Sequence, residues 1–379
     1  MTSRERVQAA LRHEEPDRVP LDLGGNQSGI HRGAYEALLC ELGWDEEVAI
    51  VDTVQQLAQP SEAVLDRLGI DTRYIRAKGA ESAPVRLAEE TIRGHPYLSL
   101  TDEFGVVWSR PLPDGKYHDI THHPLAGATT VAEIEAYPWP DGGDPTRFAG
   151  LAEEAAEFRA TTDQALSTGI SGVVYETCWY LMGFARFYEA LAIEPHLVEA
   201  LLEHTLQYWL DFEAGFLGAV GPYVDVVMVG DDLAGQDGPL FSPALYRRLV
   251  KPRHAKLYEL IHAKTSAKLW YHSCGAIRPL LPDLIEIGVD VINPVQVSAR
   301  GMDTAELKRE FGRDLVFWGG GSDTQHVLPY GTPEDVRAEV RRRKGDLAPG
   351  GGFVFTAVHN IQSDVPAANV LAMYDEARG

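Results

Sequence analysis

VDVVMVGDD (residues 224–232), SPALYRRLVKPRHAKLYELIHAK (from Ser242) and AKLWYHSCG (residues 267–275) follow one another in the chain. The first is a β-branched apolar run that ends on two acids, the second a patterned helical stretch, and the third an apolar run that ends on a histidine and a cysteine. The two runs are continuous rather than alternating, as in strands covered on both faces of a parallel sheet. Six further runs have this character: RVPLDLG (18–24), TRYIRA (72–77), QALSTGISG (164–172), VDVINPVQ (289–296), DLVFWGGGSD (314–323) and GFVFTAVHN (352–360). IRPLLPDLIEIG and TAELKREFG fill two of the later gaps. TPEDVRAEVRRRKGDL, from Thr332, opens with Thr, Pro and acids in the order of a helix start.

Eight strand and helix alternations predict an α/β fold, a (β/α)8 TIM barrel. An open doubly wound sheet has the same local pattern, and the absence of a G-x-G-x-x-G turn after the first run argues mildly against it. Residues 78–163 fit the alternation least. SLTDEFGVVWSRPLPDGKYHDITHHPLAG, with turn formers at PDGK, reads as a hairpin-containing insertion after the second strand that caps the barrel mouth. The whole chain, 1–379, is expected to be a single barrel domain.

Composition narrows the function classes. The 379 residues are 45% hydrophobic and carry a formal charge of -22, a balance that repels nucleic acid and anionic membrane surfaces. The chain has no run of 18 apolar residues and opens on charged sequence, so a cytoplasmic protein is expected. Cys40, Cys178 and Cys274 are too few and too scattered for a disulfide framework. Cys40 and Cys178 read as core residues.

In such a barrel, chemistry collects where strands end. Asp231 and Asp232 follow the fourth run, His272 and Cys274 the fifth, Asn293 and Gln296 the sixth, Asp323 the seventh, and His359 and Asn360 the eighth. His272 and Cys274, at i and i+2, point to one side of an extended backbone. As a pair they suit zinc, although a buried cysteine also serves as a small hydrophobe. His359, at the end of the last strand, supplies a third ligand and leaves one position open for catalysis. Glu176, an acid in the apolar setting SGVVYETCWYLMG, needs a metal or a cation as partner. Asp232 or Asp231, or Glu176 in place of either, is expected to handle a proton or to fill the fourth position, with Gln236 holding a polar substrate. GGGSD (319–323) is at most a weak anion cradle. His326 is either a substrate contact or a packing residue. His122, His123, His254 and His262 read as exposed histidines.

RERVQAALRHEEPDRVPLDLG, DDLAGQDGPLFSPALYRRLVKP, YHSCGAI, INPVQ, GGGSDTQHVLPYGTPEDVRAEVRRR and VHNIQSDVPAANVLAMYDEA together resemble the uroporphyrinogen decarboxylase superfamily, and within it the methyltransferase-like branch. The resemblance runs nearly end to end and implies a (β/α)8 barrel. For the methyltransferase branch it also implies a zinc ion that activates a methyl donor or acceptor in exchange with a corrinoid (cobalamin). With no cobalamin-binding domain visible, the corrinoid is expected on a separate carrier protein. Two departures stand out. The arginine-rich R-Q-A-G-R segment with which the decarboxylases hold substrate carboxylates is here LDLGGNQSGIHRGAYE, with Arg32 alone nearby, which argues against porphyrinogen decarboxylation. The thiol-methylating members carry a cysteine after the last strand where this chain has His359, which makes the zinc a better Lewis acid and favours an ether or amine. The expected activity is zinc- and corrinoid-dependent demethylation of a small O- or N-methylated compound. The alternatives are a zinc-dependent lyase, decarboxylase or hydrolase acting on a small carboxylate without corrinoid, and a tetrapyrrole- or corrinoid-binding chaperone.

Overall fold

A computed structural model describes residues 1–168 and 173–379. Seven of the eight runs become parallel strands of one curled sheet: β1 (Thr72–Ile75), β2 (Ala165–Thr168), β3 (Val226–Gly230), β4 (Lys268–His272), β5 (Val291–Asn293), β6 (Val316–Trp318) and β7 (Phe353–Val354). They are hydrogen-bonded in chain order. The last four residues of the 164–172 run lie outside the described residues.

The first run, at 18–24, does not become a ladder strand. Its contact is a single bridge, Leu21 with Phe355. Asp22 N–H donates to the Phe355 carbonyl at 2.9 Å, Phe355 N–H to Pro20 at 2.8 Å, and Asp71 N–H to Leu21 at 2.8 Å. The segment is thus bonded beside both edge strands. Pro20 has no N–H to extend the ladder, and Gly24 leaves the extended region at φ +112, so the pairing stops within a few residues.

Alternation along the strands separates two apolar regions. Val226, Met228, Trp270, Val291, Val316, Trp318 and Val354 face inward and pack with Val7, Ala10 and Leu11 of the helix Ser3–Leu11. That helix, started by a Thr2 and Glu5 capping box, fills the N-terminal end of the sheet. Trp270 and Trp318 stack at its centre, with ring centroids 4.5 Å apart. The opposite parity, including Val227, Val229, Leu269, Tyr271, Ile292 and Phe317, packs against the surrounding helices.

Between β1 and β2 the chain forms a four-stranded antiparallel sheet of Arg86–Ile92, His95–Thr101, Val107–Pro111 and Asp119–His122. The stretch from Ser242 forms Pro243–Leu245, a wide π turn at Tyr246–Val250 and the helix Lys251–Lys264. The wide turn falls just before Pro252, which cannot donate a helical hydrogen bond. Thr332 caps the helix Pro333–Leu347 by accepting from Asp335 N–H. Two expectations are corrected. His254 is fully buried rather than exposed, and Cys40 is exposed rather than core. Among the described residues, no helix is long and apolar enough to cross a membrane.

Candidate active site

Register brings the chemistry together. β3, β4 and β5 align Gly230 with His272 and His272 with Asn293 at their C-terminal ends. His272 has the parity of Trp270 and therefore faces inward. A Cβ on Gly230 would lie 2.7 Å from His272 Cβ, so the glycine makes room for the imidazole. His272 is buried, and its Nδ1 donates to Asn293 Oδ1 at 2.5 Å. Asn293 in turn donates through Nδ2 to the Trp318 carbonyl at 2.8 Å, which fixes the amide orientation and leaves the Nε2 lone pair of His272 free.

That Nε2 lies 3.5 Å from Cys274 Sγ. The ligating atoms of His272, Cys274 and His359 all fall within 4.8 Å of one another. A tetrahedral ion with bonds of about 2.0–2.3 Å needs ligand atoms roughly 3.3–3.7 Å apart, so the His272–Cys274 pair already has the required separation and His359 needs only a small approach. The rings of His272 and His359 cross at 66° with centroids 5.5 Å apart. Burial lowers the pKa of His272 to about 4, against the opposing Asn293 hydrogen bond. Burial, with His272 adding to it, also lowers His359 to about 4. Both imidazoles are therefore neutral donors at pH 7. The Cys274 thiol is pushed well up, by burial first and then by Asp232 and Glu176; a bound cation would reverse that balance and favour the thiolate. This donor set fits zinc.

The neighbouring acids Asp231 and Asp232 point to opposite sides, as strand alternation from Val229 and Gly230 requires. Asp231 is buried on the helical side. Its carboxylate accepts the N–H groups of Val174 (3.1 Å), Tyr175 (3.0 Å) and Glu176 (2.7 Å) and the Nε2–H of His254 at 2.9 Å. It therefore caps the helix Val174–Met182, whose first N–H groups have no intrahelical partners. Asp232 points inward. Its carboxylate accepts Cys274 N–H at 2.7 Å and stands 3.7 Å from His272 Nε2. Glu176, on the first turn of the capped helix, accepts the Tyr180 hydroxyl at 3.3 Å. Burial raises Glu176 far above the usual carboxylate range, and Asp232 and Asp231 add to the effect. Burial also raises Asp232, but its side chain keeps 37% of its exposure, so its rise is the smaller one.

The remaining expected residues sit around this centre or away from it. Gln296 is buried and accepts Gly275 N–H at 2.6 Å, holding the turn after Cys274, where Gly275 adopts φ +89. Asn360 is buried; its Oδ1 accepts Gly29 N–H at 2.6 Å and its Nδ2 donates to the Asn26 carbonyl and to Gln55 Oε1, each at 2.8 Å. Gln236 is exposed. His326 is exposed and its Nδ1 donates to Asp323 at 2.9 Å, a local pair. His123 Nδ1 donates to the Tyr180 carbonyl at 2.8 Å, whereas His122 is exposed. Arg32 is exposed and pairs with Glu36.

A pocket of about 410 Å³ opens on the centre, and Glu176, Asp232, His272 and His359 line it. Its other lining residues include Asn26, Asp52, Gln55, Trp108 and Tyr180, none of which the sequence reading singled out. Asn26 and Gln55 come from loops that Asn360 ties together, Asp52 ends the short strand Ile50–Asp52, and Trp108 comes from the antiparallel sheet. Tyr180 lies one turn beyond Glu176 on the same helix face, a spacing that would have found it once Glu176 was placed.

No curated protein matches the sequence. Among solved structures, a methyltransferase from Methanosarcina mazei is similar at 18% identity with a TM-score of 0.66, over 100% of this chain and 98% of that one; at this identity the likeness concerns the fold. A GH113 beta-1,4-mannanase matches at 10% identity and a TM-score of 0.41, over 95% of this chain and 99% of that one, too loosely to argue from. The profile of the family described as uroporphyrinogen decarboxylase (URO-D) matches residues 119–379, which include β2 to β7 and all three ligand candidates. The chain belongs to the uroporphyrinogen decarboxylase family.

Proposed function

We propose that the protein is a zinc-dependent methyltransferase of the methyltransferase-like branch, demethylating a small O- or N-methylated compound in the cytoplasm, with a corrinoid on a separate carrier protein as its exchange partner. We read the curled sheet as a (β/α)8 barrel in a single domain, with residues 78–163 as a cap over its mouth. The observation that carries the proposal is the convergence of His272 Nε2, Cys274 Sγ and His359 beside the pocket. His272, Cys274 and His359 would hold the zinc, which when bound supplies Lewis acidity to the heteroatom that carries the methyl group. Asn293 fixes the His272 tautomer. Glu176, whose carboxyl is pushed by burial far above the usual range, is the group we assign to give a proton to a leaving oxygen or nitrogen. Asp232, beside both Cys274 N–H and His272 Nε2, orients that pair. Asn26 and Gln55 offer polar contacts to the substrate. Lyase or decarboxylase action on a carboxylate fits less well, because Arg32 is occupied on the surface.

Elemental analysis of purified protein tests the metal, with one zinc per chain expected and its loss expected in His272→Ala and Cys274→Ala. Incubation of methylated compounds with reduced corrinoid tests the reaction through formation of methylcobalamin. Absence of zinc, or zinc unaffected by both substitutions, would end the proposal.

A further inference from the structure

The charge and ring content of the pocket narrow the substrate beyond its being methylated. Among the described residues that line the pocket there is no Lys or Arg, while the acids Asp52 and Asp232 and the buried carboxyl of Glu176 do line it. The guanidinium of Arg76 donates to Asn26 Oδ1 at 3.2 Å and to the Gly24 carbonyl at 2.5 Å and is not among the lining side chains. Apart from the proposed zinc, an anionic substrate would meet no protein cation there, and the acids Asp52 and Asp232 would oppose it. The wall also carries two aromatic rings, Trp108 and Tyr180, which meet edge to face at 73° with centroids 5.2 Å apart. Two rings near a right angle form a corner, and both are held from behind or beside: Trp108 Nε1 donates to Asp102 Oδ2 at 2.9 Å, and the Tyr180 hydroxyl donates to Glu176. Aromatic rings with nearby carboxylates are the surface that attracts an alkylated ammonium group, through the ring quadrupole and through charge, without a hydrogen-bond donor on the cation.

We infer that the substrate of this pocket is a small organic cation, an alkylated ammonium compound whose cationic head seats against Trp108 and Tyr180 beside the acids. The inference rests on the pocket proposed above as the methyl-transfer site and names its substrate class. It concerns where the head group binds and assigns no bond-making step to it.

Calorimetric titration of the full-length, zinc-loaded protein tests it with three probes: choline, its neutral carbon isostere 3,3-dimethylbutan-1-ol, and methoxyacetate. Choline is expected to bind about tenfold or more tighter than the isostere, a gap of about 1.4 kcal/mol, and methoxyacetate more weakly than either. Tyr180→Leu and Trp108→Leu are each expected to remove most of the choline preference, whereas Tyr180→Phe, which keeps the ring, retains it. Equal binding of choline and isostere, no choline binding at millimolar concentration, or tighter binding of methoxyacetate overturns the inference. If zinc and methylcobalamin formation from a neutral ether persist without any preference for choline, the substrate class alone falls. If choline selectivity holds in a protein that neither keeps zinc nor methylates a corrinoid, the methyltransferase reading falls and the cation pocket stands.

Discussion

Trp270 and His272 are two residues apart on β4 and share its inward face, yet they belong to different regions. At and below Trp270 the interior is apolar, a stack of Trp270 on Trp318 walled by valines and Met228 and plugged by the N-terminal helix. One step further along the same face lie His272, Asn293 and Asp232, where the polar groups are held by one another rather than by packing. The lower region spends its residues on stability. The upper region concentrates neutral imidazoles, a thiol and raised carboxyls, an arrangement that gains from binding a cation rather than from folding. Substitutions in the two regions should therefore separate stability from metal affinity.

The largest expected effect is in the lower region. Trp270→Ala removes half of the central stack, and because the indole N–H of Trp270 has no partner, the loss is one of packing. Unfolding free energy should fall by about 3–5 kcal/mol, measured by urea denaturation, while the zinc affinity of the protein that remains folded is unchanged from wild type. Zinc loss in a variant still as stable as wild type would erase the distinction between the regions.

Next comes an acid outside both. Glu213, on the helix Pro195–Val220, is buried, and one of its carboxylate oxygens has no partner. Burial raises its pKa to about 8 from 4.5. The folded state therefore keeps a proton that the unfolded state loses above about pH 4.5, so this group withdraws stability as pH rises between those values, at about 1.4 kcal/mol per pH unit. Glu213→Gln should abolish that slope and be more stable than wild type by about 3 kcal/mol at pH 7 relative to pH 5. Parallel pH profiles for wild type and variant would refute it. The contrast with Glu176 is instructive, since that raised acid lines the pocket and Glu213 does not.

In the upper region, Asn293→Ala frees the His272 ring. Zinc affinity should fall about 10–100-fold, read by competition with a chelator, and Gly230→Ala should do the same by crowding the imidazole. Unchanged affinity in both would mean that His272 is not positioned by its neighbours.

The contrast between regions was largely present in the sequence, because seven apolar runs became strands and their polar ends became the rim. The exception was residues 18–24, where Pro20 interrupts pairing that the composition alone suggested. His272, Cys274 and His359 were legible because strand ends and i, i+2 spacing are local properties. Parity also distinguishes Asp231 from Asp232, since counting from Met228 through Gly230 turns Asp232 inward and Asp231 toward the helices. His254 escaped because its partner, Asp231, lies 23 positions away. Trp108, Asn26 and Gln55 escaped for the same reason: the antiparallel sheet and the loops reach the pocket through long-range packing that carries no periodic signal.

The smallest expected effect concerns the residue whose sequence neighbourhood is most unlike that of the decarboxylases. Arg32 stands alone where an arginine-rich segment is expected to grip substrate carboxylates, and it is half exposed and paired with Glu36 one helical turn away. An exposed i, i+4 pair contributes about 0.3–0.5 kcal/mol, so Arg32→Ala should cost no more than that in stability. Neither zinc content nor the affinity of the pocket for any probe should change. A marked loss of affinity for methoxyacetate in this variant would instead show that Arg32 reaches the substrate, bring a carboxylate-binding role back to the mouth of the sheet, and weaken the distinction between an acidic, aromatic pocket and the anion-gripping sites of the decarboxylases.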